Sequence, residues 1–190
     1  MGKTAHLRPA ILNSAIFLFL LFATAESVKA QAKLESIYSD LSESKCRTIA
    51  FDKESRSSTK VCPGIAGYKL LILDDDARQS MTVVTPGGKN HPLDFWEVIT
   101  SAFSSVGTKA EWRVSRNKRR VSPVALIIRV NANEDVENPT RLTSYLAVVK
   151  VTPEKICVTH KIPPGATAND NARQAADTSK RAACLKEVAP

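Results

Sequence analysis

The chain is short of the residues that most often carry chemistry at neutral pH. It holds three histidines, of which only His91 and His160 lie beyond residue 25. No G-x-S-x-G occurs, so the nucleophile elbow of a serine hydrolase is missing, and a serine triad has few bases to draw on. No C-x-x-C occurs either, which leaves the four cysteines without the close ligand spacing of a structural zinc site. Past residue 25 no apolar run approaches the roughly 20 residues of a membrane-spanning helix. No metal, cofactor or reactive thiolate is therefore expected, and a binding role is favoured over catalysis.

What is present begins with a leader. Lys3 and Arg8 precede the apolar run Ala15–Phe22, and Ala23-Thr24-Ala25 supplies the small residues of an A-x-A processing site. Residues 1–25 are thus expected to be a signal peptide, with Ala30-Gln31-Ala32 as a second candidate cleavage point. The first cysteine after the leader is Cys46, too distant for lipid attachment. The expectation is an exported protein of the periplasm or exterior, with one globular domain over 33–185 and a tail over 186–190. Losing Lys3 and Arg8 lowers the formal charge from +8 to +6. That excess permits attraction to anionic surfaces without selecting one.

All four cysteines, Cys46, Cys62, Cys157 and Cys184, fall after the leader. An even count in an oxidising compartment points to disulfides, with three pairings open. Cys46–Cys62 and Cys157–Cys184 are favoured, because each closes a short segment and staples one end of the domain. In the chain-entropy view each contributes about 3 kcal/mol.

Along the chain, Leu34, Ile37, Tyr38 and Leu41 fall at i, i+3, i+4 and i+7, which predicts a short amphipathic helix over 33–41. Residues 46–51 look like a strand, 52–60 like a charged, serine-rich loop, and Val61-Cys62 like strand again. Tyr68–Leu73 is apolar at both parities, as expected of a central strand. Gln79–Thr85 is a further strand, and Pro86-Gly87-Gly88 a turn into another extended piece. Over Asp94–Gly107 a helical face (Phe95, Ile99, Ala102, Phe103, Val106) competes with β-branched Val98-Ile99-Thr100, and a short helix is favoured. Strands at 110–115 and 121–131 flank a basic loop as in a hairpin. Two more, at 142–151 and 155–162, precede a polar helix over 170–183. No repeat is visible. The fold class is mainly β with minor helix (α+β): an antiparallel sheet, sandwich or small barrel with a C-terminal helix.

Three clusters invite a functional reading. Asp74-Asp75-Asp76 offers a carboxylate pair or a calcium site, yet lacks the alternate acids and sixth-position glycine of an EF-hand. A turn between strands, with Arg78 easing the repulsion, is the plainer alternative. With His91, Asp74 or Asp76 would make a small extracytoplasmic hydrolase. His160 alternates with Val158 and Ile162, which places it on an apolar strand face. Glu111 and Arg113 share one strand face with Trp112 on the other: a charged binding surface over a buried tryptophan, or an ordinary solvated ion pair. Arg113, Arg116, Lys118, Arg119 and Arg120 form the densest basic cluster, suited to a polyanion or an acidic partner or, more plainly, a solvated turn guarding a sheet edge. Export and the lack of interleaved aromatics argue against nucleic acid. The expected function is a non-enzymatic, inhibitor-like binding module for an envelope polymer or protein, with a hydrolase and a structural envelope component as alternatives.

Five blocks, CPGIAGYKLLILDDDAR, VTPGGKNHPLDFW, FSSVGTKAEWRV, PVALIIRVN and VTPEKICV, together resemble a family of uncharacterised exported bacterial proteins. The resemblance spans most of the chain after the leader. It implies bacterial origin and export and carries over no catalytic residue. Size, leader, disulfides and β-rich pattern are also loosely similar to periplasmic lysozyme inhibitors, in architecture and without their active-site-plugging motif.

Overall fold

A computed structural model describes residues 1–3, 34–138 and 140–186. The chain divides into two compact units, Met1–Gln31 and Ala32–Pro190, and every element named below belongs to the second. The expected signal peptide and its cleavage points lie outside the described residues, save Met1–Lys3.

The second unit is mainly β. Its strands are β1 (Glu35–Asp40), β2 (Arg47–Phe51), β3 (Ser58–Pro63), β4 (Lys69–Asp75), β5 (Arg78–Val84), β6 (Asn90–Pro92), β7 (Ser104–Asn117), β8 (Arg120–Ala132), β9 (Thr143–Val151) and β10 (Ile156–Ile162). Helix α1 is the single turn Phe95–Val98, and α2 is Ala168–Thr178, followed by a 3-10 turn at Ser179–Arg181. One mixed sheet runs β10-β9-β8-β7-β5-β4-β3-β2, with β1 added to β7 and β6 to β5. Every pairing is antiparallel except a parallel bridge, Arg78 to Ser104, between β5 and β7. β7 therefore changes neighbours along its length. It touches β5 at its start and carries β1 over Lys109–Val114.

One face of the sheet makes the main core around Leu70, Met81, Trp112, Leu126, Ile128 and Val149. The other face of β8 and β9 packs Ala125, Ile127, Leu146 and Val148 against Ala172 and Ala176 of α2. This two-sided burial explains why residues 125–128 are apolar without alternation. β4 is interior by pairing, as expected, but its second face is only half covered: Leu70 and Ile72 are buried, Leu71 and Leu73 half-buried.

Two helix expectations need correction. Residues 35–40 form β1, not a helix. So short an isolated helix is marginal in water, whereas the free edge of β7 pairs every residue of the segment. In the strand, Ile37, Ser39 and Leu41 turn toward the core, and Ser39 Oγ accepts a bond from the buried Trp112 Nε1 at 3.0 Å. Over Asp94–Gly107 only Phe95–Val98 is helical, and β7 begins at Ser104. Asp94 makes no side-chain cap; Ser80 Oγ instead accepts from the Phe95 N–H. Gly107, at the end of that stretch, lies in β7, where an added Cβ would meet Arg129 Cβ at 2.9 Å.

Both disulfides pair as favoured, Cys46–Cys62 and Cys157–Cys184. The first ties β3 to the loop before β2. The second ties β10 to the chain leaving α2, where the Leu185 N–H also bonds Val158 O.

Candidate functional site

Of Asp74, Asp75 and Asp76, only the last lies in a turn; the first two end a strand. β4 runs through Asp75, which pairs with Arg78, so Asp76 and Ala77 alone make the connection, both with positive φ (48° and 56°). Paired positive φ values match a type I′ hairpin, for which aspartate is favoured at the first position. Asp76 pairs with Arg78, and Asp74 accepts from Gln79 Nε2 at 2.9 Å. His91 lies far off. It pairs with Val83 at the other end of β5, five residues or roughly 17 Å along the strand from Arg78. The structure does not bring His91 to these acids. Burial, and secondarily the Lys89 charge, hold its imidazole below its usual value.

His160 is displaced from the apolar alternation by an irregularity in the β10–β9 pairing between Val158 and His160. Val158 and Thr159 are both buried, and half-buried His160 bonds the Thr159 hydroxyl at 3.0 Å.

Glu111 and Arg113 do share a face opposite Trp112, but that face is not open. It lies under α2 and beside β1. Arg113 donates two bonds to Asp177, at 2.7 and 2.8 Å, and a third to Ser36 Oγ at 2.6 Å. Arg173 donates to Glu111 at 2.7 and 3.2 Å, and Ser36 Oγ donates to Glu111 at 2.6 Å. Burial pushes the Glu111 carboxyl up, yet the bonds from Arg173 and Ser36 outweigh it and hold it below its ordinary 4.5. The Asp177 bonds raise Arg113, and the Glu111 bonds raise Arg173. Among the described residues no buried side-chain nitrogen or oxygen lacks a partner. These charges fasten the helix to the sheet and leave little for a partner to meet.

The remaining basic residues are placed quite differently. β1 last pairs β7 at Glu35–Val114, and β9 last pairs β8 at Lys150–Ala125. Beyond that level the pairs Ser115–Ser122, Arg116–Val121 and Asn117–Arg120 have no strand on either side among the described residues. The tip is thus a two-stranded arm extending roughly 10 Å past the last flanking pairs, with Val121 on it still packed against the main core. Lys118 takes the turn at φ 53°. Arg116, Lys118, Arg119 and Arg120 are all exposed, and among the described residues Arg116 alone of the four has an ion-pair partner, Glu35 at 3.1 Å.

At the opposite end of β8 is a surface that sequence reasoning missed. Two clefts of about 610 and 350 Å³ share Ala102, Asn133 and Val136 as walls. Val136 is 94% exposed, Leu142 55% and Phe103 50%. Arg78 lies 5.1 Å over the Phe103 ring, and Lys161 lies 4.0 Å over Tyr145. Glu134 accepts from Thr100 Oγ1 at 3.0 Å and from the Tyr145 hydroxyl at 2.7 Å. Burial and that carboxylate push the Tyr145 phenol up to about 12. A signal was present in NANEDVENPT, where a lone valine stands in an otherwise polar loop.

Among the described residues no helix is long and apolar enough to cross a membrane. Comparison of the chain with protein-family models, with curated proteins and with solved structures returns no match.

Proposed function

We propose that this is an exported bacterial protein of the periplasm or exterior, related to the uncharacterised exported family it resembles, and that it acts by binding. Its contact is the β7–β8 arm, and its partner is an anionic envelope polymer or protein. One observation carries this reading: three cations, Lys118, Arg119 and Arg120, project on an arm with no ion-pair partner among the described residues. A two-stranded ribbon alone is marginal in water, so an arm extended past its sheet gains order from what it binds. Long-range attraction speeds such encounters. Two disulfides fit an oxidising compartment.

The test is in vivo cross-linking and pull-down with Arg116, Lys118, Arg119 and Arg120 replaced by neutral residues. Capture of the partner is expected to be abolished with the fold intact. Capture at the wild-type level would remove the proposal.

A further inference from the structure

The arm and the Val136 surface lie at the two ends of a single strand. β8 starts at Arg120 in the arm and ends at Ala132, next to Asn133 in the cleft wall, so the two poles stand roughly 40 Å apart. Their charges are opposite. The arm carries Arg116, Lys118, Arg119 and Arg120 against Glu35. The other pole carries Asp74, Asp75, Asp76, Glu134, Asp135 and Glu137, which outnumber Arg78, Arg141 and Lys161. Backbone bonds join the segments that carry these acids: the Ser104 N–H bonds Ala77 O, and the Asn133 N–H bonds Phe103 O. Among the described residues Asp74, Asp75, Glu134 and Glu137 have no ion-pair partner.

The acidic pole also has an apolar centre. Val136 stands between clefts, with Phe103 and Leu142 exposed nearby in the chain segments that build them. Phe103 already holds one guanidinium over its ring and is half exposed, which suits it to stack another. An apolar centre with a mixed-charge polar rim, in which acids outnumber bases, is the composition of an interaction surface. The cationic ribbon complementary to it belongs to the same molecule, at its far end.

We infer that a second copy of this chain docks here: the β7–β8 arm of one molecule enters the acid-rich groove of the next. This rests on the proposal that the arm is the binding element and names one partner for it. Because arm and groove are different surfaces, the contact is heterologous. Each docked molecule leaves its own groove free, so association runs head to tail and does not stop at a dimer unless the rotation closes a ring. The contact is small and charge-driven, which places it among weak interfaces that weaken as salt rises.

The experiment is sedimentation velocity on purified protein at about 0.1–1 mM, in about 0.05 M and about 0.5 M NaCl. Wild type is expected to show concentration-dependent species larger than a dimer at low salt and monomer at high salt. An arm variant (Lys118→Asn, Arg119→Ser, Arg120→Ser) and a groove variant (Val136→Lys, Glu137→Lys) are each expected to be monomeric alone. Asparagine is chosen at 118 because it tolerates the positive φ there. Mixed, they retain one live groove and one live arm and are expected to form a 1:1 complex and nothing larger. Circular dichroism matching wild type establishes that both variants are folded.

A wild type that stays monomeric at both salts overturns the inference, as does a mixture that forms no complex. Assembly persisting in either single variant also overturns it. The groove variant separates this failure from that of the broader proposal, since it keeps the arm intact. If it still captures an anionic envelope partner while wild type never self-associates, only the second-copy inference falls. If the arm variant captures that partner as well as wild type, the arm proposal falls too.

Discussion

Two arginines on one strand, Arg113 and Arg116, sit three residues apart and meet opposite fates. Arg113 is held beneath α2 by a two-bond clasp on Asp177, its side chain 10% exposed. Arg116 stands on the arm with a single contact to Glu35. The difference is the level at which neighbouring elements end. β1 pairs β7 as far as Val114, and α2 reaches Glu111 and Arg113 through Arg173 and Asp177, so charges at that level become fastenings and charges beyond it stay exposed. Residue type alone says nothing of this, and Glu111 makes the same point, since it is spent on Arg173.

If α2 is a fastening, removing its covalent tie should have the largest effect. Replacing Cys157 and Cys184 with serine is expected to cost about 3.5 kcal/mol by the loop-closure relation for a 27-residue separation, read by urea unfolding. Next is Arg113→Ala, which leaves Asp177 facing Glu111 without its cation. A loss of about 3 kcal/mol is expected, at the low end for a broken buried pair because Asp177 keeps some exposure to water. A cost near zero would mean that the clasp is ornamental and the contrast with Arg116 false.

Acid should act on the same fastening. The Glu111 carboxyl titrates lower in the folded protein than in the unfolded chain, so its contribution is present above about pH 4.5 and is lost as pH falls through its folded value. Asp40 and Asp52 are also lowered, by bonds from nearby backbone N–H groups, and lose stability in the same direction. The comparison that isolates Glu111 is wild type against Glu111→Gln. The variant is expected to be less stable at neutral pH, with a shallower decline between pH 5 and 3 in chemical-denaturation curves. Parallel curves would show that Glu111 is not held as described.

The arm should give the smallest effect on stability and the largest on binding. Neutralising Arg116, Lys118, Arg119 and Arg120 is expected to change unfolding free energy by less than about 1 kcal/mol, because the one ion pair lost is exposed. A larger loss would show the arm to be part of the folded scaffold, and the difference between Arg113 and Arg116 would close.

Much of the architecture was legible because its signals are local. Cysteine parity and short separations favoured both disulfides, and the apolar blocks at 121–131 and 142–151 pointed to core strands. The turn expected over Asp74–Asp76 and the loop over Arg116–Arg120 were found but are tighter, since Asp74, Asp75, Arg116, Asn117 and Arg120 lie in strands. Where local signals failed, a distant partner had overruled them. The helical spacing of Leu34, Ile37, Tyr38 and Leu41 lost to the edge of β7, whose paired residues lie 69 to 79 positions on. The acid-rich groove was illegible for a similar reason. Its walls come from residues 78, 96–103, 133–137 and 161, which share no motif.

By itself, then, the sequence determined the β-rich class, that the cysteines would pair, and the stretch of chain holding the densest positive charge, since these follow from residue types and local pattern. Tertiary structure decided which of those charges are free. Arg113 meets an aspartate 64 residues on, while Lys118, Arg119 and Arg120 are exposed, because the pairings of β1 and β9 stop short of the tip. Burial is set by what packs above a residue, and that covering comes from parts of the chain no local pattern can see.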